Sequence, residues 1–314
     1  MNKEHDILFI GMINLNLSIG PVDQGIFTKD VSLIGPVKAN PGGDAMNEAL
    51  TAARLSNKVA LVGLVGNDLF GRYVIDEAKS AGVSTEHIRI SQTATTAVAA
   101  MMIDKKGDRN ICAYRGSIEE FSENDIDMTL LERSKIINIG SMFALKKFDG
   151  DSMRRILQRG KEAGAITGSD VKQDIYNLGF EGVKQTLPYI DYFLPSYDEA
   201  KYMTGETDPA RQSDFLRRAG CATVVIKLGG DGCYISTVSK GKTVPPCPAI
   251  RVDTSGAGDN FVAGFLTGIN RGWEPEEAAR FGNATAAISI QEYGSNGAVK
   301  SFDQVIEYIK TTNY

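Results

Sequence analysis

Short apolar segments alternate with longer amphipathic segments along most of the chain. In the longer segments the apolar positions recur with a helical period, which predicts helices at residues 44–55, 68–80, 151–163 and 208–219, a helical region over 256–290 and a final helix at 302–309. The short apolar segments predict buried strands at residues 7–10, 59–65, 136–139, 165–167, 192–194, 223–227 and 232–236. Uniformly apolar strands between amphipathic helices are typical of a mostly parallel sheet covered on both faces. We therefore predict an α/β protein built as a three-layer α/β/α sandwich.

Two stretches depart from this alternation, at about residues 12–37 and 93–115. Each contains strand and turn signals without a helical period. The second stretch predicts a hairpin with strands at 96–103 and 109–114 and a turn at 104–108. We expect the two stretches to form a small separate sheet inserted in a single domain that spans residues 1–314.

The charge balance is mildly acidic. The 314 residues include 34 Lys plus Arg against 39 Asp plus Glu, which gives a formal net charge of −5. A cluster at 105–109 mixes both signs around a glycine, as in a solvated turn, and the absence of a basic block argues against binding to a nucleic-acid backbone. No apolar run approaches the ~18 residues of a membrane span, and no signal-peptide pattern flanks the apolar residues 7–19. The four cysteines lack C-x-x-C spacing, so we expect reduced thiols in a cytoplasmic protein.

Histidine is nearly absent, whereas glycine is in excess. Average usage near ~7% predicts about 22 glycines, and the chain has 33. The two histidines are His5, in a polar N-terminal stretch, and His87, which follows a turn. A Ser–His–Asp triad, a Cys–His pair or a multi-histidine zinc site would depend on one of these two positions. Composition therefore comes close to excluding histidine-based catalysis.

A glycine-rich turn leads into a predicted helix at Gly256-Ala257-Gly258-Asp259. Small residues at a helix start let backbone N–H groups approach an anion, and the helix dipole favours negative charge there. Asp259 could take a proton from an attacking hydroxyl while the amides stabilise a transferring phosphoryl group. The same residues would also serve as an ordinary tight connection, with Asp259 as a plain acid at the helix start. The turn alone leaves both interpretations open.

A second glycine pair, at 42–43, opens the first long helix. Asp44 follows it and could be a plain N-cap, and Asn47 lies one helical turn further on. Polar groups beside an exposed glycine backbone could also contact the hydroxyls of a small ligand. Asn14 and Asn16 alternate along an extended segment and therefore share one face. Neither a Walker A loop nor a G-x-G-x-x-G dinucleotide motif is present.

Together these motifs resemble the two signatures of the ribokinase-type (pfkB) carbohydrate kinases. The early signature is Gly42-Gly43-Asp44-x-x-Asn47, and the late one is Asp253-Thr254-x-Gly256-Ala257-Gly258-Asp259-x-Phe261-x-x-Gly264-Phe265. Supporting segments are Gly11-x-x-x-x-Asn16, Gly63-x-x-Gly66-x-Asp68-x-x-Gly71 and Lys227-Leu228-Gly229-x-x-Gly232. The resemblance covers nearly the whole chain in the expected order and is closest to an uncharacterised bacterial sugar-kinase branch of the family.

The resemblance implies a ribokinase-like fold and ATP-dependent phosphorylation of a sugar hydroxyl, with Mg²⁺ and a monovalent cation such as K⁺. Asp259 matches the catalytic base, and Gly256, Ala257 and Gly258 match the anion hole. The positions that match the sugar site are Asn14, Asn16, Gly42, Gly43, Asp44 and Asn47. Those that match the nucleotide-binding region are Ser196, Lys227, Gly229, Gly232 and Asn283. Glu199 matches a glutamate that acts on magnesium through water, and Asp253 matches a position near a monovalent-cation site.

The two irregular stretches match a β lid that closes over the sugar, and the resemblance implies a homodimer through this lid. Where the family motif usually reads N-x-x-E, the chain has Ser196-Tyr197-Asp198-Glu199, so the Asn amide near magnesium is replaced. Asn16 stands where many ribokinase-like members carry Asp. Arg115, at the end of the lid hairpin, would offset the acidic Asp44 for a sugar acid or would serve only in lid packing. A nucleoside kinase of the same fold and a non-catalytic sugar or nucleotide sensor are the alternatives.

Overall fold

The computed structural model describes residues 3–104, 109–295 and 297–314. Two β-sheets and the helices around them form the regular structure of these residues. The strands are, in chain order, β1 His5–Ile10, β2 Asn14–Val22, β3 Lys38–Gly42, β4 Val59–Gly66, β5 Ile88–Ser91, β6 Ala97–Asp104, β7 Arg109–Tyr114, β8 Ser134–Met142, β9 Ile166–Val171, β10 Tyr192–Phe193, β11 Thr223–Lys227, β12 Cys233–Ser236 and β13 Gly241–Val244. The helices are α1 Asp44–Arg54, α2 Leu69–Ser80, α3 Thr129–Arg133, α4 Asp151–Glu162, α5 Gly179–Val183, α6 Tyr197–Thr204, α7 Pro209–Arg218, α8 Ala257–Asn270, α9 Pro275–Ser289 and α10 Phe302–Thr311.

The main sheet has nine strands in the order β13-β12-β11-β10-β9-β8-β1-β4-β5. Neighbouring strands from β11 to β5 are parallel, whereas β11, β12 and β13 are joined by antiparallel pairing at one edge. Alternate residues of β1 pack on opposite faces, where α1 and α8 cover one side and α4 and α7 the other. Because both faces are covered, β4 is buried along its whole length, which explains the uniformly apolar strand pattern. The predicted sandwich with a mostly parallel sheet is confirmed.

Two strands of the main sheet, β5 and β13, were not predicted. They lie at the two edges, and β13 exposes its first three residues. An edge strand has one neighbour and little burial, so its sequence lacks the apolar run by which buried strands are found.

The small sheet has four strands in the order β3-β2-β6-β7. β2 pairs in parallel with β6 and antiparallel with β3, and β6 and β7 form the predicted hairpin. The small separate sheet is therefore confirmed. Its strand β3 begins at Lys38, just beyond the predicted stretch 12–37, and Pro41 and Gly42 weaken the strand pattern there. The predicted turn at 104–108 and the charge cluster at 105–109 lie largely outside the described residues.

The four amphipathic segments form α1, α2, α4 and α7, and the helical region at 256–290 divides into α8 and α9. Asp68 caps α2, since its side chain accepts a hydrogen bond from the Gly71 N–H. α1 begins differently: Gly43 is its N-cap, and no side chain caps that end. The interpretation of Asp44 as a plain N-cap is therefore wrong.

Within the described ranges, no helix is both long enough and apolar enough to cross a membrane.

Candidate active site

A cavity of about 260 Å³ lies between the small sheet and the carboxyl ends of strands β1 and β9. This edge of an open α/β sheet is where ligands usually bind. The polar residues that line the cavity are Asn14, Asn16, Asp44, Asn47, Tyr114, Arg115, Lys172, Ser255, Asp259 and Ser295. A larger groove of about 500 Å³ lies between β12, β13 and α9, and the described residues that line it include no predicted site residue. The smaller cavity is therefore the candidate site.

Two glycines bring the start of α1 against β2. Gly43 has φ +93°, and a Cβ there would collide with the Met12 carbonyl. A Cβ on Gly42 would collide with the side chain of Asn16, which lies across it. Asn16 Oδ1 in turn accepts a hydrogen bond of 2.7 Å from Asn14 Nδ2, so the two amides share one face as predicted. The glycine pair thus sets how closely the helix approaches the cavity wall.

The start of α8 depends on a third glycine. Gly256 has φ +71°, and a Cβ there would lie 2.6 Å from the Ser295 side chain. The Asp253 carboxylate holds the preceding turn, because it accepts hydrogen bonds from Ser255 N (2.9 Å), Ser255 Oγ (2.7 Å) and Gly294 N (3.0 Å). The N-terminal amides of α8 are therefore fixed at the cavity.

Asp259 lies in the first turn of α8, where it is buried and lines the cavity. Its Oδ2 accepts a hydrogen bond of 2.6 Å from Asn47 Nδ2, and Asn47 Oδ1 accepts one of 3.3 Å from Ser295 Oγ. Burial and the Asp44 carboxylate raise the pKa of Asp259 to about 6, against the opposing effect of Lys172 and the Asn47 hydrogen bond. A carboxylate with this pKa is ionised at neutral pH and is close to the optimum for a general base.

A lysine that the sequence analysis did not single out neutralises the second carboxylate of the cavity. Asp44, the first residue of α1, is 4% exposed, and its Oδ1 accepts a hydrogen bond of 2.8 Å from Lys172 Nζ. Lys172 follows β9, where its backbone N–H donates to the Met142 carbonyl. The Asp44 carboxylate raises the pKa of Lys172, so the ammonium stays charged at neutral pH.

A second lysine lies against the first turn of α8. Lys227 ends β11, and its Nζ donates to Asp170 Oδ1 at 2.5 Å, with both side chains largely buried. A Cβ on Gly258 would lie 3.4 Å from this ammonium. Burial raises the pKa of Asp170 to about 7, although Lys227 opposes the rise. The pair therefore places a buried cation beside the glycine turn.

Ser196 and Glu199 cap the start of α6. Ser196 Oγ accepts from the Glu199 N–H at 3.4 Å, and Glu199 Oε2 accepts from the Ser196 N–H at 2.7 Å. This reciprocal pair satisfies two backbone N–H groups of the helix start. Among the described residues, no three His, Cys, Asp or Glu side chains are grouped so as to hold a metal ion. One carboxylate is nonetheless compatible with Mg²⁺ that is bound mainly by phosphate oxygens and water.

Two predicted nucleotide-binding positions differ in how accessible they are. The turn after β11 has open space at Gly229, whereas the Asn283 side chain forms hydrogen bonds with other residues of the protein. Gly229 has φ +60°, and a Cβ there would meet no atom within 4 Å. Gly232 also has positive φ, and a Cβ there would collide with the backbone of β13. Asn283 Nδ2 donates to the Pro245 carbonyl at 2.8 Å and to the Tyr314 hydroxyl at 3.0 Å. The turn can therefore admit a ligand to the backbone, while Asn283 fixes the end of β13.

Comparison with known proteins decides the family. Residues 4–301 match the model of the pfkB family of carbohydrate kinases. This chain belongs to the pfkB family. Ribokinases and fructokinases of this family are phosphotransferases with a hydroxyl acceptor, and this chain is an enzyme of the same class, a sugar or nucleoside kinase.

Individual pfkB proteins resemble the chain over nearly its full length. An uncharacterised sugar kinase of Archaeoglobus fulgidus is 30% identical over 253 residues, which cover 80% of this chain and 99% of that relative. Ribokinase of Arabidopsis thaliana, solved in complex with ribose and ATP, has a TM-score of 0.83 at 23% identity and covers 99% of each chain. A protein assigned as ribokinase II of E. coli, solved with ATP and Mg²⁺, has a TM-score of 0.84 at 20% identity and covers 98% of this chain and 99% of its own. The solved structures share the ribokinase-like fold.

Arg115, a predicted substrate residue of this pfkB enzyme, lies at the cavity but is held by the protein. Its Nε donates to Glu119 Oε1 at 2.9 Å, and its Nη2 donates to the Ala144 carbonyl. The guanidinium also lies 5.7 Å from the centre of the Tyr176 ring. These contacts connect the end of β7 to the segment after β8. They favour a role of Arg115 in lid packing over a role as a cation available to a sugar acid.

Three ionisable residues at or near the site of this pfkB enzyme were missed by the sequence analysis: Lys172, which is partly exposed, and the buried Asp170 and Glu48. Polar residues near the carboxyl end of the predicted strand 165–167 are a signal for a site at this edge, and that signal could have found the first two. Glu48 lies inside α1 and is fully buried, and its Oε2 accepts a hydrogen bond of 2.8 Å from Asn138 Nδ2. Burial and the nearby Asp170 carboxylate raise the pKa of Glu48 well above its usual value. Its position within an amphipathic helix gives no such signal.

Proposed function

We propose that this pfkB enzyme is an ATP-dependent sugar kinase that transfers the γ-phosphoryl group of ATP to a hydroxyl of a small carbohydrate. The observation that carries the proposal is the buried Asp259 carboxylate, held by Asn47 at the cavity beside the N-terminal amides of α8. Phosphoryl transfer to a hydroxyl needs a base and an anion site next to each other. The turn at 256–259 offers both.

Asp259 is the proposed general base. At neutral pH it is ionised, so it can take the proton from the sugar hydroxyl as that oxygen attacks. The backbone N–H groups of Gly256 and Gly258 lie at the helix start, where they would stabilise the negative charge of the transferring group. The Ala257 N–H between them donates to the Thr254 carbonyl at 3.2 Å. The side chains proposed to orient the sugar are Asn14, Asn16, Asp44 and Asn47, all of which line the cavity.

The donor half lies around β11 and the start of α6. Bound ATP supplies the γ-phosphoryl group, and Mg²⁺ neutralises phosphate charge. Lys227 adds a cation next to the glycine turn, and the open turn at Gly229 lets the nucleotide approach the backbone. Glu199 would orient magnesium-bound water, and Asp253 would lie beside a monovalent cation. The residues present therefore fit the cofactors of the solved relatives.

The small sheet is proposed to act as a lid that excludes water from the cavity, because hydrolysis of ATP competes with transfer to the sugar. The connection between its strands β2 and β3 exposes apolar side chains: Phe27 is 85% exposed and Leu33 97%. We propose that a homodimer forms through the lid and this connection.

The variant Asp259→Asn tests the mechanism, because an amide cannot take the proton. We expect kcat to fall about 10³-fold with little change in melting temperature or in ATP binding. Asp303→Asn is a matched control, since Asp303 is an exposed acid in the first turn of α10, remote from the cavity. Full activity of Asp259→Asn would overturn the proposed role.

The acceptor class is tested by ATP consumption with pentoses, hexoses, sugar acids, sugar phosphates and nucleosides. Turnover with at least one carbohydrate supports the proposed function. Turnover with nucleosides alone would identify a nucleoside kinase instead. Tight sugar binding without ATP consumption would identify a sensor that has kept the fold but lost the reaction.

A further inference from the structure

The Asp44–Lys172 ion pair lies inside the cavity, where a bound sugar can contact both partners. Asp44 comes from the start of α1 and Lys172 from the end of β9, and both line the cavity. The Asp44 side chain is 5% exposed, whereas that of Lys172 is 48% exposed. The carboxylate therefore belongs to the wall, and the Lys172 side chain is the more accessible partner at the cavity.

Both partners keep unused hydrogen-bonding capacity. Asp44 Oδ2 is buried and has no hydrogen-bond partner among the described residues. An ammonium carries three donors, and Lys172 uses one of them on Asp44 Oδ1. A buried carboxylate oxygen without a partner is costly, so a ligand hydroxyl that donates to Oδ2 is favoured. An adjacent ligand oxygen can accept from Lys172.

The charges of the cavity disfavour an anionic ligand group. A sugar carboxylate or phosphate would lie near two carboxylates, Asp44 and Asp259, and only one ammonium, that of Lys172. The other cation lining the described cavity is Arg115, which is already paired with Glu119 at 2.9 Å. The described wall therefore offers no cation without a carboxylate partner to hold an anionic substituent.

We infer that the Asp44–Lys172 pair binds two neighbouring hydroxyl groups of an uncharged sugar, and that Asp44, together with Asp259, selects for neutral sugars over sugar acids and sugar phosphates. The inference rests on the proposed sugar kinase function, since it names the acceptor class of that reaction. A site that both donates to and accepts from a ligand discriminates strongly against analogues that lack the matching groups.

The first experiment compares kcat/KM for neutral aldoses and ketoses with their acid and phosphate counterparts. We expect the best neutral sugar to exceed each charged counterpart at least about tenfold. Turnover in which an acid or a phosphate is preferred overturns the inference and leaves the kinase function intact. ATP consumption with none of the compounds overturns the proposed function. In that case, sugar binding is measured as a shift in melting temperature, which tests the inference without turnover. A shift seen only with charged compounds, or with no compound, overturns the inference.

The second experiment uses Lys172→Met, with Lys161→Met as a matched control. Lys161 forms an ion pair of 2.7 Å with Asp191, a geometry close to that of the Asp44–Lys172 pair, but neither residue lines the cavity. We expect Lys172→Met to raise KM for the neutral sugar about tenfold while KM for ATP stays within about twofold. Lys161→Met is expected to change neither constant.

A pH profile separates a role in the site from a role in folding. Removing the Lys172 charge leaves Asp44 unpaired next to Asp259, so the acid limb of kcat should move to higher pH. The double variant Asp44→Asn/Lys172→Met leaves no unpaired charge, so it should keep the native melting temperature while the high KM for sugar persists. A lower melting temperature for Lys172→Met, with sugar KM and acid limb unchanged, would overturn the inference.

Discussion

The proposed acceptor half and the proposed donor half of the site are built from different chemical groups. In the acceptor half, charged side chains line the cavity, and Asp44 raises the pKa of both Lys172 and Asp259. In the donor half, backbone amides and an open glycine turn lie beside one buried cation, Lys227. The polar side chains there, Ser196 and Asn283, already bond to the protein. A single side-chain change can therefore alter sugar selectivity, whereas the donor half is sensitive to changes in the backbone path.

The turn that opens α8 belongs to both halves. Gly256 lies against Ser295, Ser295 bonds Asn47, and Asn47 bonds Asp259. The same turn carries the N–H groups proposed to bind the phosphoryl group. A change at Gly256 therefore moves the base and the anion site together.

The variant Gly256→Ala is expected to have the largest effect, a loss of at least about 100-fold in kcat/KM. The new Cβ would lie 2.6 Å from Ser295, and φ is +71°, so the turn and the Ser295 loop must separate. Steady-state kinetics with both substrates varied should show losses for sugar and ATP alike.

Gly272→Ala is the matched control for this variant. Gly272 follows α8 at its other end with φ +77°, and a Cβ there would meet no atom within 4 Å. It carries similar backbone strain, about 1 kcal/mol, without the collision. Equal kinetic losses in both variants would show that strain, and not the position of the turn, explains the effect.

The sequence predicted the scaffold and the glycine turns better than the pairing of charged side chains at the cavity. Buried parallel strands and glycine turns have strong local patterns, so the main sheet and the turn at 256–259 were found from residues that lie close together in the chain. The pairing of Lys172 with Asp44 joins residues 128 positions apart, and no local pattern encodes it. Edge strands such as β13 were missed for a related reason, because little burial leaves little periodicity.

The variant Lys227→Met is expected to have an intermediate effect that falls on the donor half. It removes the cation beside Gly258, so KM for ATP should rise about tenfold while KM for the sugar changes little. This is the opposite of the pattern expected for Lys172→Met. A rise confined to the sugar KM would contradict the division of the site into two halves.

Lys227→Met also leaves Asp170 buried without its partner, which typically costs about 3–5 kcal/mol. The double variant Asp170→Asn/Lys227→Met removes both charges and should recover most of that stability, as measured by urea unfolding. If the double variant regains stability but keeps the high KM for ATP, the cation itself acts on the nucleotide. If the double variant recovers both the native stability and the native KM for ATP, the Asp170–Lys227 pair serves folding alone.

The variant Ser196→Ala is expected to have the smallest effect, because Ser196 serves as the N-cap of α6. Loss of a serine N-cap costs about 1 kcal/mol, which lowers the melting temperature by about 2–4 °C. Ser301→Ala is the matched control, since Ser301 caps α10 through Gln304 N at 3.1 Å and is remote from the site. Equal losses of stability with unchanged kinetics would show that this serine caps the helix and no more. A rise in KM for ATP in Ser196→Ala, but not in Ser301→Ala, would instead show that the Ser196 hydroxyl contributes to nucleotide binding. Side chains would then act in both halves of the site, and the two halves would differ only in how much they rely on them.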